Sequence, residues 1–312
     1  MKTFNTEPNF SIVLPGGCNA HCSFCFWKEE KASEDYLEKL KSTLLSIPSH
    51  FKQCSLTGGE PTLSVHFIDV LKIAFAKFSK VVLTTNGCNL ETYIPEIEKL
   101  LKKTKTKFHV NISRHHHDND KNMEMFGTDT IPSNDSLVQL INKLNKIGID
   151  VNANCVLTEE YDSRESIEEF IQFAKQSNFS SIAFRKQHGN LEPSNQELFF
   201  NDYKPLYVGK CPVCYTKEQL VLGMKVQWKS SMAEPKETIT DSVYELIYQQ
   251  NGKLTMDWEG KEEIITLEDE LYTPNQIVKM AKEGLIHLGE ESRKKKSTSI
   301  RGGGCCGSGR GC

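Results

Sequence analysis

The chain predicts an α/β fold, a partial (β/α)6 barrel followed by a small α+β appendage and a flexible tail rich in cysteine and glycine. Between residue 10 and about residue 185, short apolar runs alternate six times with stretches whose apolar residues recur at i, i+3, i+4 and i+7. Six such repeats are fewer than the eight of a closed barrel, and the chemically distinctive segments fall at the carboxyl ends of the runs, where parallel α/β folds gather their sites. After residue 188 the pattern changes, and from residue 289 apolar spacing disappears. Residues 1–188 are therefore expected to form the barrel domain, 189–288 the appendage and 289–312 the tail.

Phe10–Leu14 is the first expected strand, and a helix with Leu37, Leu40 and Leu44 on one face follows from an N-cap near Ser33. Cys54–Thr57 is strand two, followed by a helix carrying Phe67, Ile68, Leu71, Ala74, Phe75 and Phe78. Val81–Thr84 is strand three, and Ile94, Ile97 and Leu101 mark the next helix. Phe108–Ile112 is strand four. Leu137, Leu140, Ile141, Leu144 and Ile147 mark a helix closed by Gly148. Val151–Leu157 is strand five, a helix with Ile167, Phe170, Ile171 and Ala174 follows, and Ile182–Phe184 is strand six. In the appendage, His188–Lys210 reads as a linker and strands are expected around Gly223. Val243, Leu246 and Ile247 suggest a short helix, Leu254–Trp258 and Ile264–Leu267 suggest strands, and Thr273-Pro274 opens a last helix.

The size and 38% hydrophobic content allow one full core plus a smaller unit. A net charge of −3 gives no case for nucleic-acid binding driven by phosphate attraction. The basic runs Lys102–Lys105 and Arg293–Lys296 read as solvated surface. No apolar run approaches the roughly 20 residues of a membrane span, so no membrane partner is expected. Met1–Asn5 lacks the apolar core of a secretory signal, and eleven cysteines without one point to reduced thiols and metal. A cytoplasmic location is expected.

Cys18, Cys22 and Cys25 follow the first strand at Cys-x3-Cys-x2-Cys spacing. Cluster ligation normally uses four cysteines, so a loop with three leaves one iron open to a ligand. A zinc loop would need a fourth ligand, and none lies close by. Gly58-Gly59-Glu60-Pro61 ends strand two; its glycines permit close backbone approach, and Glu60 can accept charge-assisted hydrogen bonds.

With both segments present, the chain resembles the radical S-adenosylmethionine (SAM) superfamily. The resemblance implies a six-repeat half-open barrel, a [4Fe–4S] cluster on Cys18, Cys22 and Cys25, and SAM chelating the open iron. It implies methionine binding by Gly58, Gly59 and Glu60. Phe24 would pack near the adenine, Asn86 would lie in a polar turn near the cofactor, and Ser113 would reach the ribose. Asn152 and Asn154 share a face by period two, and Asn154 is a candidate ribose or substrate contact. Arg185 ends strand six and could face the methionine carboxylate or an anionic substrate. His115 and His116 are candidate proton donors or acceptors at the end of strand four. Catalysis would need a reductase or flavodoxin-type electron donor and a substrate, a peptide or small molecule. Cys211 and Cys214, with the tail cysteines Cys305, Cys306 and Cys312, form a candidate second metal site. Cys54, Cys88 and Cys155 read as isolated buried thiols. Two non-enzymatic readings stand beside this one: an iron–sulfur redox carrier or sensor, and a zinc-stabilised interaction module.

Overall fold

The computed structural model describes residues 2–48, 51–158, 161, 163–187, 202–208, 216–229, 242–261, 263–264 and 271–272. The expected alternation is present: β1 (Lys2–Leu14), α1 (Tyr36–Ser46), β2 (Gln53–Gly58), α2 (Phe67–Lys77), β3 (Lys80–Thr85), α3 (Ile94–Leu101), β4 (Lys107–Ser113), α4 (Asn119–Phe126), α5 (Asn134–Lys146), β5 (Asp150–Leu157), α6 (Arg164–Gln176) and β6 (Ser181–Lys186). There follow β7 (Tyr207–Val208), β8 (Thr216–Val221), β9 (Met224–Lys229), β10 (Ser242–Tyr248), β11 (Leu254–Thr255) and β12 (Leu271–Tyr272). All belong to one sheet of order β11-β10-β1-β2-β3-β4-β5-β6-β9-β8-β7, with β12 beside β1. Strands β1 to β6 run parallel in sequence order. Among the described residues the two ends of the sheet do not pair, so the barrel stays open.

Side-chain alternation divides this sheet into two faces. Phe10, Ile12 and Leu14, with Cys54, Leu56, Val81, Leu83, Val110, Ile112, Val151, Ala153, Ile182 and Phe184, point to the helices and are buried. The helices answer with apolar stripes, such as Phe67, Val70, Leu71, Ala74 and Phe75 on α2, and Ile167, Phe170, Ile171 and Ala174 on α6. Each such large side chain contributes roughly 1.5–3 kcal/mol on burial. The opposite face is polar. On it Asn152 Nδ2 donates to Asn111 Oδ1 at 3.2 Å, and Ser181 Oγ donates to Asn152 Oδ1 at 2.7 Å.

Helix ends follow local chemistry. Ser133 and Ser163 cap α5 and α6 by accepting from Ser136 N and Ser166 N. Gly148 takes φ +80° after α5, as its position predicts. Helix α1 starts later than expected, with Asp35 rather than Ser33 as N-cap residue. Helix α4 was not anticipated: it begins after the histidine run, capped by Asp118, which accepts from Lys121 N.

The second half differs more. The segment around Val243, Leu246 and Ile247 is strand β10, not a helix, and runs parallel to β1. A spacing of three and four suits either element over so short a stretch, and pairing with β1 decides it. Leu246 and Tyr248 face the core, and Tyr248 Oη donates to Tyr36 O at 2.8 Å. Only Leu254 and Thr255 of the expected Leu254–Trp258 strand pair with β10. The strands around Gly223 form as expected, and β9 extends the sheet parallel to β6. Tyr207 and Val208, within the expected linker, pair with β8. Most of that linker, Cys211 and Cys214, the last expected helix and the tail lie outside the described residues. No helix among the described residues is long and apolar enough to cross a membrane.

Candidate active site

The cysteine loop leaves the carboxyl end of β1. Cys18 and Cys22 are half-buried and Cys25 is exposed. Ala20 N lies 3.4 Å from Cys18 Sγ, and Cys25 N donates to Cys22 O at 3.1 Å. Burial and then the neighbouring Cys25 and Cys18 push the Cys22 thiol up to about 12. Burial raises Cys18 too, with Glu60 and Cys25 adding to the rise. For Cys18 and Cys22 to become thiolates against burial and their neighbours, a compensating positive charge is needed, and bound iron would supply it. Among the described residues no three His, Cys, Asp or Glu side chains converge on one single-ion position. Ligation of a cluster does not require that, because each thiolate binds its own iron. The donor set fits a cluster held at three corners.

The end of β2 lies flush against this loop. Glu60 N donates to Gly17 O at 3.2 Å. A Cβ on Gly59 would sit 2.7 Å from Gly17 O and 2.8 Å from Trp27 Cη2. Glycine is therefore required by close approach, and Gly59→Ala is expected to lower the stability of the iron-free chain by about 1–3 kcal/mol in urea unfolding. An unchanged midpoint would show that the loop yields freely. Trp27 covers the glycine, and its Nε1, buried, has no hydrogen-bond partner among the described residues.

Glu60 is 2% exposed. Its Oε1 accepts from Thr62 N at 2.9 Å, Thr62 Oγ1 at 2.6 Å and Thr85 Oγ1 at 2.6 Å, and its Oε2 accepts from Asn86 N at 2.7 Å. Burial raises its carboxyl above the ordinary range, and these four bonds work against the rise. The carboxylate thus joins the ends of β2 and β3. Asn86 in turn donates from Nδ2 to Asn19 Oδ1 at 2.8 Å, and Asn19 Nδ2 donates to Thr130 Oγ1 at 2.7 Å.

The ends of β4, β5 and β6 complete the rim. Ser113 lies opposite Asn154 in register, and Asn154 Oδ1 accepts from Arg185 Nε at 3.2 Å. All three are half-buried and share the polar face. The Phe24 ring meets His115 edge-on with centroids 4.8 Å apart, and His115 rests on Phe126 at 4.7 Å. His115 Nδ1 accepts from Val156 N at 3.1 Å, and burial lowers its pKa to about 3. His115 is neutral at physiological pH, with its proton on Nε2. His116 is also buried, and its Nδ1 accepts from Asp118 N at 2.9 Å.

Sequence reasoning passed over several of these parts. Arg114 donates to His116 O and Pro132 O, each at 3.1 Å, and also reaches Asn134. It braces the histidine segment against the start of α5. Asn122 Oδ1 accepts from His115 N at 2.9 Å and His116 N at 3.2 Å. Cys88 is half-buried rather than a fully buried filler; burial first, then Glu60, pushes its thiol to about 11, and Cys18 adds to the rise. The Asn86-Gly87 turn that precedes it was the available signal. Cys211, Cys214, Cys305, Cys306 and Cys312 lie outside the described residues.

Residues 12–174, just over half of the chain, match the Radical SAM superfamily, and the chain belongs to that family. It is similar to a protein of Pyrococcus abyssi named "Probable GTP 3′,8-cyclase", 28% identical over 201 residues, covering 64% of this chain and 62% of the relative. A protein of Thermoplasma volcanium with the same name is 29% identical over 169 residues, covering 52% and 49%. The chain thus spans from about half to under two thirds of these relatives' length. Among solved structures, native anSMEcpe with bound AdoMet superposes with a TM-score of 0.56 at 15% identity, covering 95% of this chain and 88% of that one. At that identity the likeness shows the fold. Membership of the family implies SAM and an iron–sulfur cluster.

Proposed function

We propose that this protein is a radical SAM enzyme in which Cys18, Cys22 and Cys25 hold a [4Fe–4S] cluster. That centre supplies one-electron chemistry, the reductive cleavage of SAM to a 5′-deoxyadenosyl radical that takes a hydrogen atom from the substrate. The observation that carries the reading is the direct abutment of the cysteine loop on the glycine turn, with Glu60 N on Gly17 O and no room for a side chain at Gly59. The backbone of Gly58–Glu60 offers the methionine moiety a close approach beside the cluster. Phe24, seated on His115, presents an aromatic surface for the adenine. Ser113, Asn154 and Arg185 offer a hydroxyl, an amide and a cation along the polar face for the ribose, a carboxylate or the substrate. His115, neutral and engaged at Nδ1, supports Phe24 rather than moving protons.

The substrate class is a small molecule or a peptide. The names of the relatives favour a nucleotide within the first class, and the cysteine-rich tail favours a peptide or thiol-bearing metabolite. A reductase or flavodoxin-type protein would supply the electron. A redox carrier alone has no use for the glycine turn, which disfavours that alternative. The test is anaerobic reconstitution followed by SAM and dithionite, with 5′-deoxyadenosine as readout. Nucleoside release is expected. None from a chain carrying a full complement of iron would overturn the reading.

A further inference from the structure

Cys18 is held differently from the other two cysteines. The residue before it accepts at Gly17 O from Glu60 N at 3.2 Å. The residue after it accepts at Asn19 Oδ1 from Asn86 Nδ2 at 2.8 Å. Asn86 N closes the circuit on Glu60 Oε2 at 2.7 Å. Gly17, Cys18, Asn19, Asn86 and Glu60 therefore form one closed ring of covalent and hydrogen bonds. Its far side is the carboxylate that already ties β2 to β3 through Thr62 and Thr85. A second arm runs from Asn19 Nδ2 to Thr130 Oγ1 at 2.7 Å, and His21 N donates to Phe126 O at 2.7 Å. Beyond His21 the described ties are of another kind: Phe24 packs edge-on against His115, and the amide of the exposed Cys25 donates to Cys22 O within the loop.

We infer that Asn19 and Asn86 are positioning residues that fix the Cys18 corner of the cluster to the strand ends that bind SAM. The inference rests on the reading of Cys18 as a cluster ligand. The ring presets the position of Cys18 before any metal is bound. Asn19 acts through its Oδ1 and Asn86 through its Nδ2; neither needs to touch iron or SAM. The ring also makes the two binding motifs one mechanical unit, so a displacement at Glu60 reaches Cys18 through two short paths.

Two measurements on the full chain test this. In the iron-free chain, iodoacetamide labelling is followed cysteine by cysteine by peptide mass spectrometry. In the reconstituted chain, iron loss to a chelator is timed. Asn19→Ala is expected to speed Cys18 labelling severalfold relative to Cys25 and to speed iron loss about tenfold, the usual scale for groups that orient a metal ligand. Asn86→Asp, which sets an oxygen against Asn19 Oδ1 and keeps the acceptor for Cys88 N, is expected to do the same and guards against a folding defect peculiar to Asn19→Ala. Asn19→Asp keeps the acceptor that faces Asn86 and is expected to restore slow Cys18 labelling. Labelling of Cys18 at the wild-type rate in both Asn19→Ala and Asn86→Asp overturns the inference. So does an Asn19→Asp chain as reactive as Asn19→Ala. The labelling readout needs neither iron nor SAM, so a chain that fails to cleave SAM still reports on the ring.

Discussion

Cys22→Ala is expected to remove iron and SAM cleavage together. Cys22 is the middle cysteine of the loop proposed to hold the cluster, and burial first pushes its thiol up to about 12 against an ordinary 9.0. Below pH 9 it is protonated in both the folded and the unfolded iron-free chain, so it adds nothing to the pH dependence of stability there. As pH rises from 9 toward 12 the unfolded chain ionises first, and the contribution of this thiol to the stability of the iron-free fold is progressively lost. Iron reverses that preference, because ligation requires the thiolate and releases its proton. Iron uptake during reconstitution should therefore rise with pH between 7 and 9. In Cys22→Ala the loop retains two sulfurs, too few to hold the proposed [4Fe–4S] cluster, and visible iron–sulfur absorbance and 5′-deoxyadenosine should both fall to background. Cys22→Ser, which keeps the size and loses the soft donor, should behave alike. Persistence of either signal in the alanine variant would place the cluster elsewhere in the chain.

Glu60→Gln tests what the buried carboxylate does. Oε1 receives three donors and Oε2 receives Asn86 N. A glutamine that keeps its oxygen toward Thr62 and Thr85 must point its NH2 at the Asn86 N–H, donor against donor. The tie to Asn86 is lost while the rest survives. Hydrogen bonds to a charged group contribute about 1.5–3 kcal/mol each, so a loss of about 2 kcal/mol in urea unfolding of the iron-free chain is expected. Glu60→Ala should cost about 3–4 kcal/mol, since the Thr62 and Asn86 amides are left buried and unpaired. Both should weaken SAM binding as a consequence. Full stability combined with a loss of SAM affinity alone would show that the carboxylate serves the ligand rather than the strand ends.

The first half of the fold was legible because each repeat carries its own signal. Phe67, Leu71, Ala74 and Phe75 make a helical stripe whatever surrounds them, and Val81–Thr84 is too short and too branched for anything but a strand. The cysteine loop and the Gly58-Gly59 turn stood out in the sequence because ligand spacing and close approach restrict residue types locally, and the fold sets the two against each other. The second half was not, because β10 owes its existence to β1, more than two hundred residues away in sequence; Asn9 Nδ2 and Glu245 Oε1 meet at 2.6 Å across 236 positions. The same limit applied to the site. Glu60 read as a ligand group because an isolated carboxylate next to glycines looks free, and only the fold brings Thr85 and Asn86 to it. Asn19 carried no signal, since its partners Asn86 and Thr130 lie 67 and 111 positions away. The neutrality of His115 depends first on burial and then on the neighbouring Arg114, and the burial is not visible in a run of three histidines.

The pairing of β1 with β10 also has a consequence for how the protein is made. β1 leads directly into the cysteine loop, yet one of its flanking strands is among the last described elements to be translated. At 5–20 residues per second the ribosome takes on the order of 10–50 s to travel from one to the other. Throughout that interval the β1 edge is open, and the loop hangs from a half-supported strand. Iron delivered to the nascent chain would meet thiols without a settled frame, whereas iron delivered after release meets a finished one. Assembly of the proposed cluster is therefore expected to follow completion of the far end of the sheet, and the unsupported edge of β1 is where a holding chaperone would have most to protect.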